Sequence, residues 1–497
     1  MSTLMYTGYT AFLLLVTSIR TISTARPHIV LILADDLGWN DVSWHNPEMK
    51  TPNLEALANE GVFLDQNYVQ PVCTPTRTAL MTGMYPYHLG RQNHILEPLE
   101  PTGVALGVPF LPEKLRDLGY VTHAVGKWHL GYCNWAYTPT FRGFDSFLGF
   151  YLGSQDYYEH KKYIKSTPLI PGIDQMLRVE EGYDFRNNTK IAWEYQDHYS
   201  TYIFADTARS ILATSSPEQP LFMYLPFQAP HAPLQVPQKY EDLYRNIHDS
   251  DRRKYCGMVT ALDDAVGAIV DALKNYGYWN NTLLVFLSDN GGQILNGGNN
   301  WPLRGNKGTL WEGGTRVPAF VSGPLLKKRG YTNHKLIHAV DWFPTLVKLA
   351  GGDVGGRTDG VDQWRVISHD GPAARNEFVY NLYDHHYVSG ALRVGDYKLI
   401  RGFGGYPDGW YPPPKSNGTG RRCYETPKNR LALYNVRVDP EERHDLAAEL
   451  PDIVQKLQHQ LLAHARTMVP ADDPPQDPSG DPDLWGGVFS PGWCHAH

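Results

Sequence analysis

The stretch Ile29-Val30-Leu31-Ile32-Leu33-Ala34-Asp35-Asp36 is apolar until it ends in two carboxylates. Three other short runs are similarly apolar, at residues 120–125, 221–227 and 283–287. Strands without polar alternation are typical of parallel sheets, because helices cover both of their faces. The four runs therefore predict the buried centre of one large, mostly parallel sheet.

Helical patterns lie between these runs. Pro52 and Gly61 bracket a short amphipathic segment, as is usual for the start of a helix and for the residue after its end. Between residues 255 and 273, apolar side chains recur every three or four positions. Strands that alternate with helices predict an α/β fold, in which a large mixed sheet is flanked by helices.

The character of the sequence changes after about residue 370. Gly395-Asp396 lies between two apolar segments and predicts the turn of a β-hairpin. A further strand is expected near 433–436 and a helix at 453–465, before an extended tail. We therefore expect a large domain over 26–370 and a smaller C-terminal α+β domain, with an antiparallel sheet, over 371–497.

Composition and charge narrow the possible functions. Of the 497 residues, 42% are hydrophobic and 20% are charged, which suits a folded core and excludes a disordered chain. The net charge is −7 and there is no basic block, so nucleic acid is not an expected partner. An anionic substrate would need positive charge that is gathered locally.

Several features predict passage through the secretory pathway. An apolar run at residues 11–16, followed by the small residues Ser23-Thr24-Ala25, predicts a signal peptide over 1–25. No later segment reaches ~20 apolar residues, so no transmembrane segment is expected. Sequons predict glycosylation at Asn187, Asn280 and Asn417.

The cysteine count is odd. In a secreted protein, five cysteines leave at least one that is free or chemically special, and Cys73 is the candidate. The other four allow up to two disulfides, whose pairing the sequence leaves open: Cys133, Cys256, Cys423 and Cys494.

Polar residues follow each of the four apolar runs. In an open α/β sheet, ligands bind at the carboxyl ends of the strands. Each residue taken singly has a plainer explanation as a turn or a cap, and it is their convergence on one edge that indicates a site. The residues are Asp35, Asp36, Lys127, His129, His231, Asp289 and Asn290.

Four of these residues, Asp35, Asp36, Asp289 and Asn290, offer only oxygen ligands. An oxygen cage supplied mostly by protein favours Ca²⁺ over Mg²⁺. Zinc is disfavoured, because the histidines come with lysines, which cannot act as ligands when they are charged.

The segment Cys73-Thr74-Pro75-Thr76-Arg77, followed by Leu80-Met81-Thr82-Gly83, carries the most specific pattern. It resembles the signature of the type I, formylglycine-dependent sulfatases, and every defined position is filled. In that family the formylglycine-generating enzyme converts the cysteine to Cα-formylglycine during maturation. The resemblance would explain the odd thiol.

The resemblance covers most of the chain. It includes Gly126-Lys127-Trp128-His129, Ser288-Asp289-Asn290-Gly291-Gly292 and a third motif that runs from Trp301 to Lys307. The third motif and the ending Gly486-Gly487-Val488 look most like animal arylsulfatase B and its relatives. Those relatives usually carry more cysteines, and the small neighbours Asn306 and Gly308 change the expected pocket wall beside Lys307.

The resemblance implies an alkaline phosphatase-like fold and a role for each site residue. Cys73, once converted and hydrated, would supply the nucleophile, and Arg77 would orient it. Lys127 and Lys307 would bind sulfate oxygens, His129 would hold the second hydroxyl, and His231 with Lys307 would face the leaving alcohol. One Ca²⁺ per chain would be bound by Asp35, Asp36, Cys73, Asp289 and Asn290.

The implied function is hydrolysis of sulfate esters, of the arylsulfatase or N-acetylgalactosamine-4-sulfatase type, by a lysosomal or secreted enzyme. The substrate is then a glycosaminoglycan or a sulfated small molecule such as a glucosinolate. A phosphate-ester hydrolase of the same superfamily would use Ser or Thr and zinc ligands, which the intact signature argues against. An inactive binding protein would be expected to have lost a polar position of the site, and none is missing.

Overall fold

The computed structural model describes residues 26–165, 179–383, 388–413 and 429–496. The predicted signal peptide, the sequon at Asn417 and the cysteine at 423 lie outside the described residues. The strands are β1 His28–Ala34, β2 Val62–Leu64, β3 Asn67–Tyr68, β4 Val121–Lys127, β5 Ser146–Phe150, β6 Lys161–Lys165, β7 Val179–Tyr183, β8 Arg186–Asn187, β9 Lys190–Ile191, β10 Leu221–Pro226, β11 Thr282–Ser288, β12 Ala319–Ser322, β13 Tyr331–Asn333, β14 Ile337–His338, β15 Glu377–Tyr383, β16 Ser389–Val394, β17 Tyr397–Phe403 and β18 Asn429–Asn435. The helices are α1 Pro52–Glu60, α2 Cys73–Thr82, α3 Leu111–Asp117, α4 Ser200–Thr214, α5 Gln238–Glu241, α6 Ser250–Asn275, α7 Glu312–Thr315, α8 Trp342–Leu349, α9 Trp364–His369 and α10 Pro451–Ala465.

A ten-stranded mixed sheet forms the centre of the molecule, in the order β13-β2-β12-β11-β1-β10-β4-β5-β8-β9. The four predicted apolar runs are its adjacent parallel strands β11, β1, β10 and β4. Antiparallel strands extend the sheet on both sides. The expected α/β class with a large, mostly parallel mixed sheet is confirmed.

Helices on both faces explain why the central strands are apolar throughout. Alternate residues of β1 enter two different cores, with Ile29, Leu31 and Leu33 on one face and Val30 and Ile32 on the other. The first core includes α2, α3 and α8, and the second includes α1, α4 and α6. The helix predicted between Pro52 and Gly61 is α1, and the long periodic segment is α6.

The C-terminal part contains a four-stranded antiparallel sheet, in the order β15-β16-β17-β18. Its central hairpin turns at Gly395-Asp396 as expected, and Gly395 has a φ of 58°, a conformation that glycine adopts without strain. The helix predicted at 453–465 is α10. Its buried residues Leu457 and Leu461 belong to the first of the two cores, together with residues of this antiparallel sheet. Within the described ranges, no helix is both long enough and apolar enough to cross a membrane.

The sequence allowed up to two disulfides, and the described residues form one. Cys133 and Cys494 form a disulfide, which ties the C-terminal tail to the segment after β4. Cys256 is buried in α6 and unpaired, as is Cys73. Among the described cysteines there is therefore one disulfide, and Cys256 packs in the helical layer as a small apolar side chain.

Candidate active site

The carboxyl ends of β11, β1, β10 and β4 lie side by side, and the predicted polar residues follow them at one edge of the sheet. The backbone amide of Asp289 donates to the carbonyl of Ala34 at 3.0 Å, and that of Asp35 donates to the carbonyl of Ala229 at 3.2 Å. These bonds continue the ladder past the strand ends. They bring the residues after three strands into contact.

Four side chains form a buried cluster at this edge. Asp35, Asp36, Cys73 and Asp289 each place one ligand atom within 4.8 Å of the others. Asn290 adds an oxygen, since its Oδ1 lies 3.4 Å from Cys73 Sγ while its amide nitrogen donates to Asp36 Oδ1 at 2.7 Å. Carboxylates that face one another repel unless a cation lies between them. Converging oxygen atoms of this kind fit a hard metal ion.

The backbone at Asp36 turns sharply to form the cluster. Asp36 has a φ of 63°, a left-handed conformation that is uncommon outside glycine. Its amide donates to Asp289 Oδ1 at 3.3 Å, and the amide of Leu37 donates to Ser288 Oγ at 3.0 Å. Backbone strain of this kind often accompanies functional sites. Here the turn lets two consecutive carboxylates reach the same site.

Cys73 is the first residue of α2, a helix whose ten residues are all buried. Its Sγ lies 3.5 Å from Asp35 Oδ1. Burial, with the negative charge of Asp289, raises the pKa of the thiol to about 12. A thiol that stays protonated at neutral pH is a weak nucleophile.

Arg77 lies one helical turn after Cys73 and is completely buried. Its Nη2 and Nε donate to Asp289 Oδ2 at 2.8 and 3.2 Å, and its Nη1 donates to the carbonyl of Lys127 at 3.1 Å. Burial acts to lower the pKa of Arg77, but the neighbouring groups, with Asp289 first and Asp35 among them, together outweigh burial and raise it. The guanidinium is therefore a fixed positive charge that connects α2 to two strand ends.

Two lysines supply the local positive charge that an anionic substrate requires. Lys127 Nζ lies 2.6 Å from Asp35 Oδ2, and Lys307 Nζ lies 2.7 Å from Asp36 Oδ1. Burial acts to raise the pKa of each aspartate, but the neighbouring lysine, followed by His231, lowers it. Both carboxylates are therefore ionised. The site gathers Lys127, Lys307 and Arg77 beside three carboxylates, in a chain whose net charge is −7.

Lys307 comes from a loop rather than from a strand end. The amide of the next residue, Gly308, donates to the carbonyl of Pro71 at 2.8 Å, which fixes this loop close to Cys73. Gly308 has a φ of 82°, and a Cβ built there would meet no described atom within 4 Å. The pocket wall beside the lysine is therefore open at this position.

The two predicted histidines occupy different environments. His129 is 2% exposed, and its Nε2 donates to the carbonyl of Leu96 at 3.0 Å. Its Nδ1 is a buried acceptor with no hydrogen-bond partner among the described residues. His231 Nε2 faces Asp36 Oδ2 at 3.7 Å, and its Nδ1 bonds to the carbonyl of Ala232. Burial lowers the pKa of both imidazoles.

Three residues that the sequence analysis missed lie beside the site. Tyr157 donates its hydroxyl to the carbonyl of His231 at 2.8 Å. Lys162 donates to Ser154 Oγ at 2.7 Å. Ser154 and Tyr157 belong to the loop after β5, which is parallel to β4. The run Phe147-Leu148-Gly149-Phe150 is itself apolar, and it was the available signal for this fifth strand.

The sequons within the described residues have the accessibility that glycosylation needs. Asn187 in β8 and Asn280 before β11 are both exposed. Their modification stays a prediction.

Comparisons with known proteins agree with this geometry. The family model described as Sulfatase matches residues 27–352. The chain is 42% identical to arylsulfatase J of Mus musculus, over 95% of this chain and 81% of that protein. It is 31% identical to arylsulfatase A of Homo sapiens, over 90% of this chain and 89% of that protein.

Solved structures give the same result. The crystal structure of Ps i-CgsB superposes with a TM-score of 0.75 at 28% identity, over 90% of this chain and 94% of that chain. The same protein is known in complex with k-i-k-neocarrahexaose. A phosphonate monoester hydrolase of Agrobacterium radiobacter shares the fold alone, with a TM-score of 0.60 at 19% identity over 89% of this chain and 96% of that chain.

Proposed function

This chain belongs to the sulfatase family and is a sulfuric ester hydrolase, and on that premise we propose that it acts through a formylglycine at position 73 and a calcium ion. One observation carries the proposal. The buried oxygen cluster, the first residue of α2 and two lysines meet at one edge of the sheet. Each part would be costly to bury alone. Together they match what a sulfate ester requires.

The oxygen cluster would hold the calcium ion. The ligands are Asp35, Asp36, Asp289 and Asn290, together with the oxygen of the modified residue, whose place the Sγ of Cys73 takes here. When bound, the ion would neutralise charge on the sulfate and on the nucleophile. With the carboxylates held in this way, Lys127 and Lys307 are available to donate to sulfate oxygens.

The surroundings of residue 73 support its modification. Formylglycine would supply a hydroxyl nucleophile when its aldehyde is hydrated. His129 Nδ1, a buried acceptor without a described partner, suits a hydroxyl donor better than an apolar neighbour. Arg77 holds the start of α2 against Asp289 and so fixes the direction from which residue 73 approaches the substrate. The protonated thiol alone would be a weak nucleophile.

The leaving group would lie between His231 and Lys307. Both side chains contact Asp36, at 3.7 and 2.7 Å, yet they come from different loops. They contact different oxygens of this carboxylate, Oδ2 and Oδ1, and would stabilise or protonate the departing oxygen. No described atom lies within 4 Å of a Cβ built at Gly308, so the wall beside Lys307 is not closed at this point.

The substrate we favour is a sulfated carbohydrate of the N-acetylgalactosamine 4-sulfate type. A mouse N-acetylgalactosamine-6-sulfatase, which is 33% identical over 65% of this chain and 62% of that protein, supports the sugar, and the motifs that resemble arylsulfatase B are the ground for the 4-position. A small sulfated metabolite such as a glucosinolate is the alternative that the open wall beside Lys307 also admits. The sequence features at the start of the chain and the exposed sequons favour the secretory pathway, with delivery to lysosomes or to the exterior.

A panel assay tests the proposal. The purified protein is compared with Cys73→Ala on nitrophenyl sulfate, nitrophenyl phosphate, a sulfated N-acetylgalactosamine and a glucosinolate. We expect the wild type to cleave the sulfates, and the sulfated sugar best, with little activity on the phosphate. Activity that survives in Cys73→Ala, or a preference for the phosphate, would overturn the mechanism. A preference for the glucosinolate would overturn the substrate assignment alone.

A further inference from the structure

We propose that Lys162, positioned by Ser154, binds a second anionic group of the substrate beside the sulfate that is cleaved. This inference rests on the proposed function, because it concerns the same pocket. The second group is a carboxylate or another sulfate, held by a charge-assisted hydrogen bond to the ammonium. A substrate with only one anionic group would not use it.

The loop after β5 lies against the active site. β5 pairs in parallel with β4, so the two carboxyl ends are adjacent, with Phe150 opposite Lys127. The amide of His129 donates to the carbonyl of Tyr151 at 3.0 Å. A Cβ built on Gly153 would lie 2.6 Å from the ring of His129. The loop that carries Ser154 therefore packs directly against a residue of the active site.

Asp184 fixes the position of this loop. The buried carboxylate of Asp184 accepts hydrogen bonds from the amides of Tyr151 and Leu152, at 3.0 and 2.8 Å. The amide of Asp184 in turn donates to the carbonyl of His160, just before β6. These bonds fix the loop and the β6–β7 hairpin to each other. Lys162 on β6 then reaches Ser154, which is 8% exposed, at 2.7 Å.

The charges around Lys162 leave its ammonium without a paired carboxylate in the described residues. Within the described part of the chain, no carboxylate forms an ion pair with its Nζ, whereas the adjacent Lys161 pairs with Glu181 at 3.0 Å. Burial lowers the pKa of Lys162, and the positive charges of Lys127 and Lys307 lower it further, against the opposing charges of Glu97 and Asp184. A partly buried ammonium near two other lysines is unfavourable until an anion binds.

Lys162 and Lys161 provide a matched pair of variants, because they are neighbours on one strand and the side chain of Lys162 reaches Ser154 whereas that of Lys161 pairs with Glu181. The substrates are nitrophenyl sulfate, a monosulfated N-acetylgalactosamine without a carboxylate, the same sugar linked to a uronate, and a disulfated N-acetylgalactosamine. Lys162→Met should lower kcat/KM about 10- to 100-fold on a substrate with a second anion, mainly through KM. The loss should stay under about 2-fold on the first two substrates, and Lys162→Arg should restore activity.

The result also identifies the second group, since a loss confined to the uronate assigns a carboxylate and one confined to the disulfated sugar assigns a sulfate. Equal losses on all four substrates would mean that Lys162 acts on the cleaved sulfate, and no loss would mean that it does not bind substrate; either result overturns the inference. Lys161→Met should leave every rate unchanged. Failure of the wild type on nitrophenyl sulfate would instead count against the proposed function.

Discussion

Two buried clusters of charged residues in this molecule are alike in composition and opposite in design. The active-site cluster consists of Asp35, Asp36, Asp289, Lys127 and Lys307. The junction cluster consists of Glu312, Glu442, Lys398, Tyr68 and Tyr380, and it joins α7 to the C-terminal sheet. The side chains of Glu312 and Lys398 are fully buried, like those of Asp35 and Lys127.

In the junction cluster, hydrogen-bond donors of the protein contact the carboxylate oxygens of Glu312 and Glu442. Glu312 Oε1 accepts from Tyr380 at 2.7 Å and from Lys398 at 3.0 Å, and its Oε2 accepts from Tyr68 at 2.7 Å. Glu442 accepts from the amide of Glu312 and pairs with Lys398, both at 2.7 Å. Both oxygens of Glu312 are therefore engaged by donors of the protein. The cluster holds two parts of the chain together.

In the active-site cluster, carboxylate oxygens converge on one another instead. Their repulsion is relieved by the positive charges of Lys127, Lys307 and Arg77, which contact Asp35, Asp36 and Asp289 in turn. Such an arrangement favours ligand binding over stability. The comparison teaches that burial and charge alone do not mark a functional site. The direction in which the oxygens point does.

The largest effect is expected at the nucleophile. Cys73→Ala should reduce turnover by roughly 10⁴–10⁶-fold, as removal of a covalent nucleophile does elsewhere, without lowering Tm. Cys256→Ala is the control, because that thiol is also buried and free but lies in α6. It should keep its activity. Comparable losses in the two variants would show that packing, and not chemistry, explains the first.

The next effect is expected at the leaving group. His231→Ala should lower kcat/KM by up to about 10²–10⁴-fold for a sulfated sugar, whose alkoxide leaves poorly without a proton. The loss should be much smaller for nitrophenyl sulfate, because nitrophenolate leaves unaided. Steady-state kinetics on both substrates test this, with conversion of Cys73 checked in the variant. Equal losses would assign His231 to sulfate binding and leave the acid role to Lys307.

A third prediction compares the replacement of one carboxylate by an amide in each of the two clusters. Asp36→Asn should weaken calcium retention by at least the ~10–100-fold that even indirect metal partners cost, and excess calcium should restore activity. Glu312→Gln should leave calcium dependence unchanged but destabilise the fold by about 3–5 kcal/mol, because it breaks a buried ion pair. Calcium titration measures metal retention in both variants, and thermal unfolding measures their stability. Zinc retained in place of calcium by the active wild type would contradict the metal assignment.

The smallest effect is expected from pH at the junction. Two carboxylates share the ammonium of Lys398, and burial, with the charge of Glu312, raises the pKa of Glu442 from 4.5 to about 7. The carboxyl of Glu442 then binds a proton more tightly in the folded state than in the unfolded state. This protonation stabilises the fold fully below pH 4.5, and the stabilisation is lost as the pH rises through 7. The charged and titratable groups around the pair are Lys398, Glu312, Arg304, Arg316, Arg393, Tyr68 and Tyr380.

Glu442→Gln removes this titration. The Tm of the variant minus that of the wild type should therefore rise between pH 4.5 and 7, by an amount equivalent to about 2–3 kcal/mol. Buried histidines titrate in both proteins, and their effect cancels in the difference. A difference that stays flat or falls with pH would show that Glu442 is already charged at low pH.

Much of the active site could be predicted from the sequence, because its signals are local. Each of the four central strands is an apolar run, and each ends in polar residues that the parallel arrangement places together. The signature at Cys73 adds a specific motif within a few residues. Both kinds of signal depend only on near neighbours in the chain.

What the sequence could not predict depends on distant pairs. Lys398 meets Glu312 across 86 positions, and Cys133 meets Cys494 across 361. No local pattern distinguishes Lys162 from Lys161, since only the paired hairpin decides which one faces Ser154 and which one faces Glu181. These contacts follow from tertiary packing, and no periodic pattern in the sequence predicts them.

Mass spectrometry of the peptide that contains residue 73 tests the central claim most directly. The protein is made through a eukaryotic secretory pathway and assayed before digestion. The account predicts an aldehyde or its hydrate in place of the thiol, in a fraction of molecules that follows the specific activity. Fully active enzyme in which residue 73 is unmodified cysteine throughout would contradict it.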